Sequence, residues 1–221
     1  LLQSQGLDCG CLGAMTRDDT GSLSVATLRG AAAEAVLDEL AGLRISVFSA
    51  FPYLYEGDRD YERRYLATYA ASPGAVIVAA RAGDGRLVGA ATAAPLGDHQ
   101  PQLAASFAAH GIDPAGVFYL GESVLDPQWR GRGIGHLFFD CREAAAAEQG
   151  FAVTAFCAVE RPVDHPARPA DYRPLDDFWH KRGYRPVPGL TATMAWRDLG
   201  EAAESDKTMQ FWMRAVPADA G

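Results

Sequence analysis

Apolar and polar positions along the chain alternate between two periods, and the switches between them predict an ordered series of strands and helices. Leu23 to Leu28 alternates loosely as a first strand, and Gly30 interrupts it. AAAEAVLDELAGLRISVFSAF then repeats apolar residues every three or four positions, predicting a helix broken near Gly42. After Pro52 comes YLYEGDRDYERRYLATYAAS, in which Gly57 and Asp58 form a turn ahead of a second helical stretch that stops before Ser72, Pro73 and Gly74. AVIVAARAGDGRLVGAATAAPL is two β-rich runs flanking Gly83, Asp84 and Gly85, which reads as a hairpin. A short helix is expected from His99 to Gly111, and a buried strand from Val117 to Leu125 that ends at Asp126 and Pro127. A helix from near Gly133 to the stop at Gly150 leads to a strand from Phe151 to Val159. The Pro-rich segment ERPVDHPARPADYRP, a short helix in LDDFWHKRG, and strands from Leu190 to Arg197 and Thr208 to Val216 complete the series. This order predicts an α/β fold with a mixed, mostly antiparallel sheet flanked by helices, and no internal repeat is visible.

The 221 residues, 48% of them hydrophobic and 22% charged, suit one globular domain with appendages. Residues 1 to 20 carry no sustained period and read as a disordered leader or artificial extension, leaving 21 to 217 as a single domain. Neither an apolar run long enough to span a membrane nor a secretory pattern is evident, so a soluble, cytoplasmic protein with no membrane partner is expected. A net charge of −8 disfavours nucleic acid and suits a cationic small molecule. Cys9, Cys11, Cys141 and Cys157 read as reduced thiols, and the five histidines lack metal-ligand spacing, so no metal is expected.

Chemistry concentrates in VLDPQWRGRGIGHLFFD, where a strand turns through proline into Arg130, Gly131, Arg132, Gly133, Ile134 and Gly135 and directly into a helix. Glycines let the backbone approach a ligand, and the unpaired amides and dipole of the helix start attract an anion, best a pyrophosphate. A P-loop would need Gly-Lys followed by Ser or Thr. A Rossmann loop would need glycine where His136 stands and a later acidic residue on a parallel strand; neither pattern is met. The Arg-x-x-Gly-x-Gly spelling of Arg130, Gly133 and Gly135 after Leu125-Asp126-Pro127 resembles the acetyl-CoA motif of the GNAT superfamily of N-acetyltransferases. The element order from Leu23 to Val216 is similar to that family's fold, and DDFWHKRGYRP is similar to its final helix and exit.

The resemblance implies acetyl-CoA as co-substrate, its pyrophosphate on the amides of residues 130 to 135. Its pantetheine arm would run beside Ser123, Val124 and Leu125, between central strands 117 to 125 and 151 to 159 that splay apart. It further implies a backbone N–H near Val124 for the oxyanion, and a strand glutamate facing the acceptor. Glu122, which interrupts the apolar run FYLGESVL, stands at that position as base or substrate-binding group, or else as a structural carboxylate paired with an arginine. Where relatives place a tyrosine to protonate the leaving thiolate, this chain has Trp179; Tyr172 and Tyr184 are the substitutes, each with packing as the alternative. For the acceptor, Phe51, Tyr53, Tyr55 and Glu56 mix aromatic faces with acid and favour a cationic amine, unless they form an ordinary helix entry. In the Pro-rich connection, His165, with Arg161, Arg168 and Tyr172, could reach the cleft and would suit a carboxylate. The expected partner is therefore a small amine, cationic or zwitterionic; a homodimer is the family-level expectation. The alternative function is a non-catalytic acyl-CoA sensor on the same fold.

Overall fold

The structure, a computed structural model, describes residues 22–99 and 101–216; the expected leader and Cys9 and Cys11 lie outside the described residues. In chain order the elements are β1 (Leu23–Leu28), α1 (Gly30–Glu34), α2 (Leu37–Phe48), α3 (Arg59–Ala71), β2 (Val76–Ala82), β3 (Leu87–Pro95), α4 (Leu96–His99) and α5 (Pro101–Ala109). They continue with β4 (Val117–Leu125), α6 (Ile134–Glu148), β5 (Val153–Val159), α7 (Asp176–Lys181), β6 (Arg185–Trp196) and β7 (Ser205–Ala215). The strands form one seven-stranded sheet in the order β1-β2-β3-β4-β5-β7-β6. Every pairing is antiparallel except β4 with β5. Among the described residues, no helix is long and apolar enough to cross a membrane.

Both faces of the sheet are covered. On one, α2 and α3 bury Leu40, Ala41, Leu66 and Tyr69 against Ile77, Ala79 and Val124. On the other, α6 buries Phe138 and Cys141 against Val78, Ala80 and Ala91, and Phe139 and Ala146 against Phe118 and Phe156. A further cluster joins Phe107 of α5 to Phe211 and Leu190 beyond β5. β2 and β3 are accordingly buried along nearly their whole length and read as continuous apolar runs.

Several boundaries differ from the sequence expectation, among them the start of β7 at Ser205 and the division of the expected His99–Gly111 helix into α4 and α5, and two of the differences have a clear physical reason. The first helical run breaks at Ala35 and Val36, not at Gly42, which lies inside α2. A Cβ on Gly42 would meet only the mobile end of Arg59, at 3.0 Å, and α2 continues through Gly42 because its neighbours Leu40 and Ala41 pack into the core. The strand expected from Leu190 begins at Arg185, because β6 is the sheet's edge, where Pro186 removes no essential ladder bond and the register shifts between Pro186 and Thr191.

The central irregularity is what makes room for a site. β4 pairs with β5 only over Val117–Tyr119 and Val153–Ala155, whereas β4 continues along β3 to Leu125 and β5 continues along β7 to Val159. Beyond Tyr119 the two strands therefore diverge, as the family resemblance implied. On the other edge of β4, Ala91 faces Ser123 and Ala93 faces Leu120, so Gly121 and Glu122 together oppose Thr92 in a bulge. Gly121 fits because a Cβ would lie 2.2 Å from the Tyr69 hydroxyl and 2.5 Å from Thr92 Oγ1. Gly121→Ala should push these groups aside and destabilise the fold by about 1–3 kcal/mol; a denaturant titration with no change in midpoint would show the bulge to be loosely packed.

Candidate functional site

A cavity of about 1130 Å³ fills the gap between β4 and β5 and extends from the start of α6 to the Pro-rich connection. The loop at its α6 end is built by local chemistry. Asp126 accepts from the Gln128 amide at 2.9 Å and donates its own amide to Val88, closing the turn after β4. Gly131 and Gly133 then adopt φ of +75° and +79°, left-handed values that glycine takes without strain. Gly133 caps α6 without a side-chain bond, and the first turn of α6 contains no acidic residue. Among the described residues, no protein acceptor takes the amides of residues 131 to 135. These donors open beside Arg130, Gly131, Gly133 and Gly135 in the cavity wall, an arrangement suited to a diphosphate.

Not every residue of this loop contributes its side chain. Ile134 is buried in the core, leaving only its amide for a ligand. Arg132 is turned aside: its guanidinium lies 4.7 Å from the Trp129 ring centroid and donates to the Gln128 carbonyl at 3.0 Å. Ser123 and Leu125 line the cavity, while the Val124 side chain points into the opposite core. The edge of β4 facing β5 loses its partner strand beyond Tyr119, which leaves main-chain groups for an extended ligand arm.

Glu122, 8% exposed, reaches the middle of the cavity wall from the bulge. The arginine that pairs with it is Arg44 of α2, whose Nη1 lies 2.8 Å from Glu122 Oε1. Arg44 Nε also binds the carboxylate of Glu62, which is fully buried on α3. Tyr65 donates to Glu122 Oε2 at 3.3 Å and meets Tyr69 at 3.2 Å. Burial alone would lower the Arg44 guanidinium, but Glu122, Tyr65 and Glu62 raise it above its ordinary value, so it stays charged. Arg142, from α6, secures the main chain on the other side: it donates to the carbonyls of Thr92 and Glu122 and to Ser123 Oγ at 2.8 Å. Burial pulls Arg142 down to about 10, still cationic at neutral pH. Arg44, Glu62 and Arg142 were missed from the sequence. The available signal was a charged residue at core-facing helical positions, as in LRISVF and CREAAAA.

At the far end, Phe51 and Tyr53 line the cavity together with Tyr172, Arg161 and Arg168. Phe51 meets Tyr172 edge-on at 4.7 Å, joining the loop after α2 to the Pro-rich connection. Arg161 ties them further, donating to the carbonyls of Pro52 and Tyr53 at 2.8 Å each and pairing with Asp198. Burial would raise the Asp198 carboxyl, yet hydrogen bonds from Arg161 and Lys207 hold it below its usual value. Four predicted residues fall elsewhere. Tyr55 bridges to Asp198 through its main chain, with its hydroxyl raised by burial and by Glu62, and Glu56 pairs with Arg197 on the surface. His165 packs 5.6 Å from Phe51, outside the cavity lining. Tyr184 is fully buried and bonded to Thr154 and Glu143, so it is not a group that can meet a thiolate in the cavity. Trp179 lines the cavity where that tyrosine was sought.

This geometry has known counterparts. The family model of the acetyltransferase (GNAT) family matches residues 42–170, more than half of the chain. The chain belongs to the GNAT acetyltransferase family. The same fold occurs in a GCN5-related N-acetyltransferase from Kribbella flavida, with 19% identity over 88% of this chain and 98% of that one and a TM-score of 0.53. A ribosomal-protein-alanine N-acetyltransferase from Brucella melitensis has 15% identity over 86% and 99% of the two chains, with a TM-score of 0.54. A GNAT superfamily phosphinothricin acetyltransferase from Sinorhizobium meliloti, solved with acetyl-CoA, has 15% identity over 89% and 90%, with a TM-score of 0.53. No curated protein sequence matches the chain.

Two predictions follow from the geometry of this acetyltransferase site. Arg44→Met would leave two buried carboxylates without their cation and should lower stability by about 3–5 kcal/mol, measured by urea unfolding; a loss below about 1 kcal/mol would mean that the pairs are effectively solvated. Gly133→Val would place a β-branched residue at a left-handed φ and so distort the turn that presents the amides. It should weaken acetyl-CoA binding about 10-fold or more in calorimetry, and an unchanged affinity would remove this loop from the coenzyme site.

Proposed function

We propose that this GNAT protein is an N-acetyltransferase that moves the acetyl group of acetyl-CoA to the primary amine of a small acceptor by direct attack in a ternary complex. The observation that carries the reading is the continuity of one cavity: unpaired amides at the start of α6, the open edge of β4 and the aromatic wall at Phe51 and Tyr172 all border it. One end suits a diphosphate, the strand edge suits an extended pantetheine arm, and the other end has space for an acceptor. Acetyl-CoA supplies the activated acyl carbon, and the chain supplies alignment and proton handling.

An alkyl ammonium must lose a proton before its nitrogen can attack. Glu122, held by Arg44 and Tyr65, is the group assigned to receive that proton directly or through a water, and to orient the amine. Attack on the thioester carbon forms the C–N bond and breaks the C–S bond, giving an acetamide and free CoA. An amide pre-aimed from the open edge of β4 near Val124 would stabilise the developing oxyanion, a contribution of a few kcal/mol in a dry cleft. For the departing sulfur, Tyr172 is retained as donor: burial raises its hydroxyl, so it remains protonated at neutral pH. A thiol with an ordinary pKa of about 8.5 can also take its proton from water, which makes the Trp179 substitution compatible with turnover.

The test is acetyl-CoA binding by calorimetry followed by thiol release with a panel of amines. Binding with turnover supports the enzyme, and binding without turnover for every amine favours the acyl-CoA sensor. Glu122→Gln should leave acetyl-CoA affinity intact and lower kcat by about 100-fold, within the usual range for losing a general base. Equal losses of binding and turnover would return Glu122 to a purely structural role beside Arg44.

A further inference from the structure

The acetyl-transfer chemistry leaves Arg168 of the cavity lining without a task. Arg168, in the Pro-rich connection, is half-buried and lines the cavity. Its guanidinium carbon lies 4.9 Å from the Tyr172 ring centroid and 5.9 Å from that of Phe51, over the two rings that meet edge-on. Among the described residues, no carboxylate pairs with Arg168 and no acceptor takes its guanidinium donors.

Arg161 provides the contrast. Its Nε and Nη2 donate to the carbonyls of Pro52 and Tyr53, and its two terminal nitrogens hold Asp198 at 2.7 and 2.9 Å, so its donors are already engaged within the protein. Lys207 adds a second cation to Asp198 at 3.2 Å. Arg161 therefore builds the floor of the acceptor end by fixing the loop that carries Phe51, and Phe51 in turn supports Arg168. A guanidinium laid against aromatic faces is held in position, while its N–H groups radiate in the plane and stay available to a bidentate oxyanion. Among the described residues, Arg132 and Arg142 also lack an acidic partner, but each donates to oxygens of the protein, which Arg168 does not. The acidic residues lining the same end, Glu160, Asp171 and Asp176, are exposed to solvent.

We propose that the acceptor is a zwitterion, an amine that also carries a carboxylate or comparable oxyanion, and that Arg168 on its Phe51–Tyr172 ledge is the group that docks the oxyanion while the amine faces Glu122. This inference rests on the acetyl-transfer reading and narrows its substrate class. It also assigns the two aromatic residues a supporting role, since they set the plane of the guanidinium.

The experiment compares each of the proteinogenic amino acids, β-alanine and γ-aminobutyrate with its own carboxamide, which keeps the amine and removes the anion. Aminomethylphosphonate and aminomethylphosphinate beside glycine show which oxyanion is preferred. The best carboxylates or phosphorus oxyanions should exceed their uncharged counterparts in kcat/KM by about 10- to 100-fold, the usual worth of a charge-assisted hydrogen bond pair. Arg168→Met should collapse that ratio by raising KM for the anionic acceptors, and Arg168→Lys should restore part of it; acetyl-CoA calorimetry on each variant reports that the fold is retained. Calorimetry of the same acceptors into the native protein saturated with CoA should show the same preference without turnover. A ratio near one in the native protein, or equal losses for anionic and uncharged acceptors in Arg168→Met, overturns the proposal. Bound acetyl-CoA with no transfer to any amine overturns the acetyl-transfer reading instead, and the zwitterion assignment with it.

Discussion

The early parting of β4 from β5 is the constraint on which the site depends. Three paired residues on each strand hold the two halves of the sheet together, and beyond them two backbone edges face a gap in place of each other. Unpaired main-chain groups in a protein interior are costly unless a ligand or water satisfies them. The fold bears that cost where β4 and β5 part, and the rest of the sheet is arranged around it. β4 remains tied to β3, and β5 remains tied to β7 along its length, so the gap opens between two well-anchored walls.

Buried charge reinforces those walls. Arg142 binds main-chain oxygens on β3 and β4 from α6, and Arg44 binds Glu122 from α2 on the opposite face. Each arginine reaches the bulge that carries Gly121 and Glu122, so the position of the Glu122 carboxylate is set from both layers of helices. Glu62 adds a second carboxylate to Arg44, which limits the guanidinium's freedom to follow Glu122 if the strand shifts. Such networks are poor sources of net stability, but they hold one geometry because any rearrangement strands a buried charge. At the other end, Arg161 does the same for the cavity wall by linking Pro52, Tyr53 and Asp198.

Much of this organisation was legible in residue order. The hairpin around Gly83 to Gly85, the buried run of Val117 to Leu125 and the glycine-rich entry to α6 all depend on local backbone chemistry that period and turn residues report directly. Glu122 stood out as a charge in an apolar run. Less was legible about direction. Tyr55 and Glu56 lie close to Tyr53 in the chain, yet the Tyr55 hydroxyl is turned toward Glu62 and Glu56 pairs with Arg197, and His165 lies near Arg168 yet packs outside the cavity lining. Tyr184 follows the expected glycine but is bonded inward to Thr154 and Glu143. Gly42 looked like a break because helix propensity is local, while the packing of Leu40 and Ala41 with Leu66 and Tyr69 that holds α2 is not.

By itself the sequence determined most of the elements, their order and the glycine-rich turn at Arg130 to Gly135, because hydrophobic period and glycine placement act within a few residues. Only the tertiary structure decided that β7 would enter between β5 and β6 and that Arg44, Glu62 and Glu122 would share one buried site. It also decided that Arg161 of the Pro-rich connection would be spent on Asp198 while Arg168 lies over the Tyr172 ring. Those outcomes depend on which faces of distant segments come together, and pairing between distant segments is set by the packing of the whole core rather than by any local run of residues.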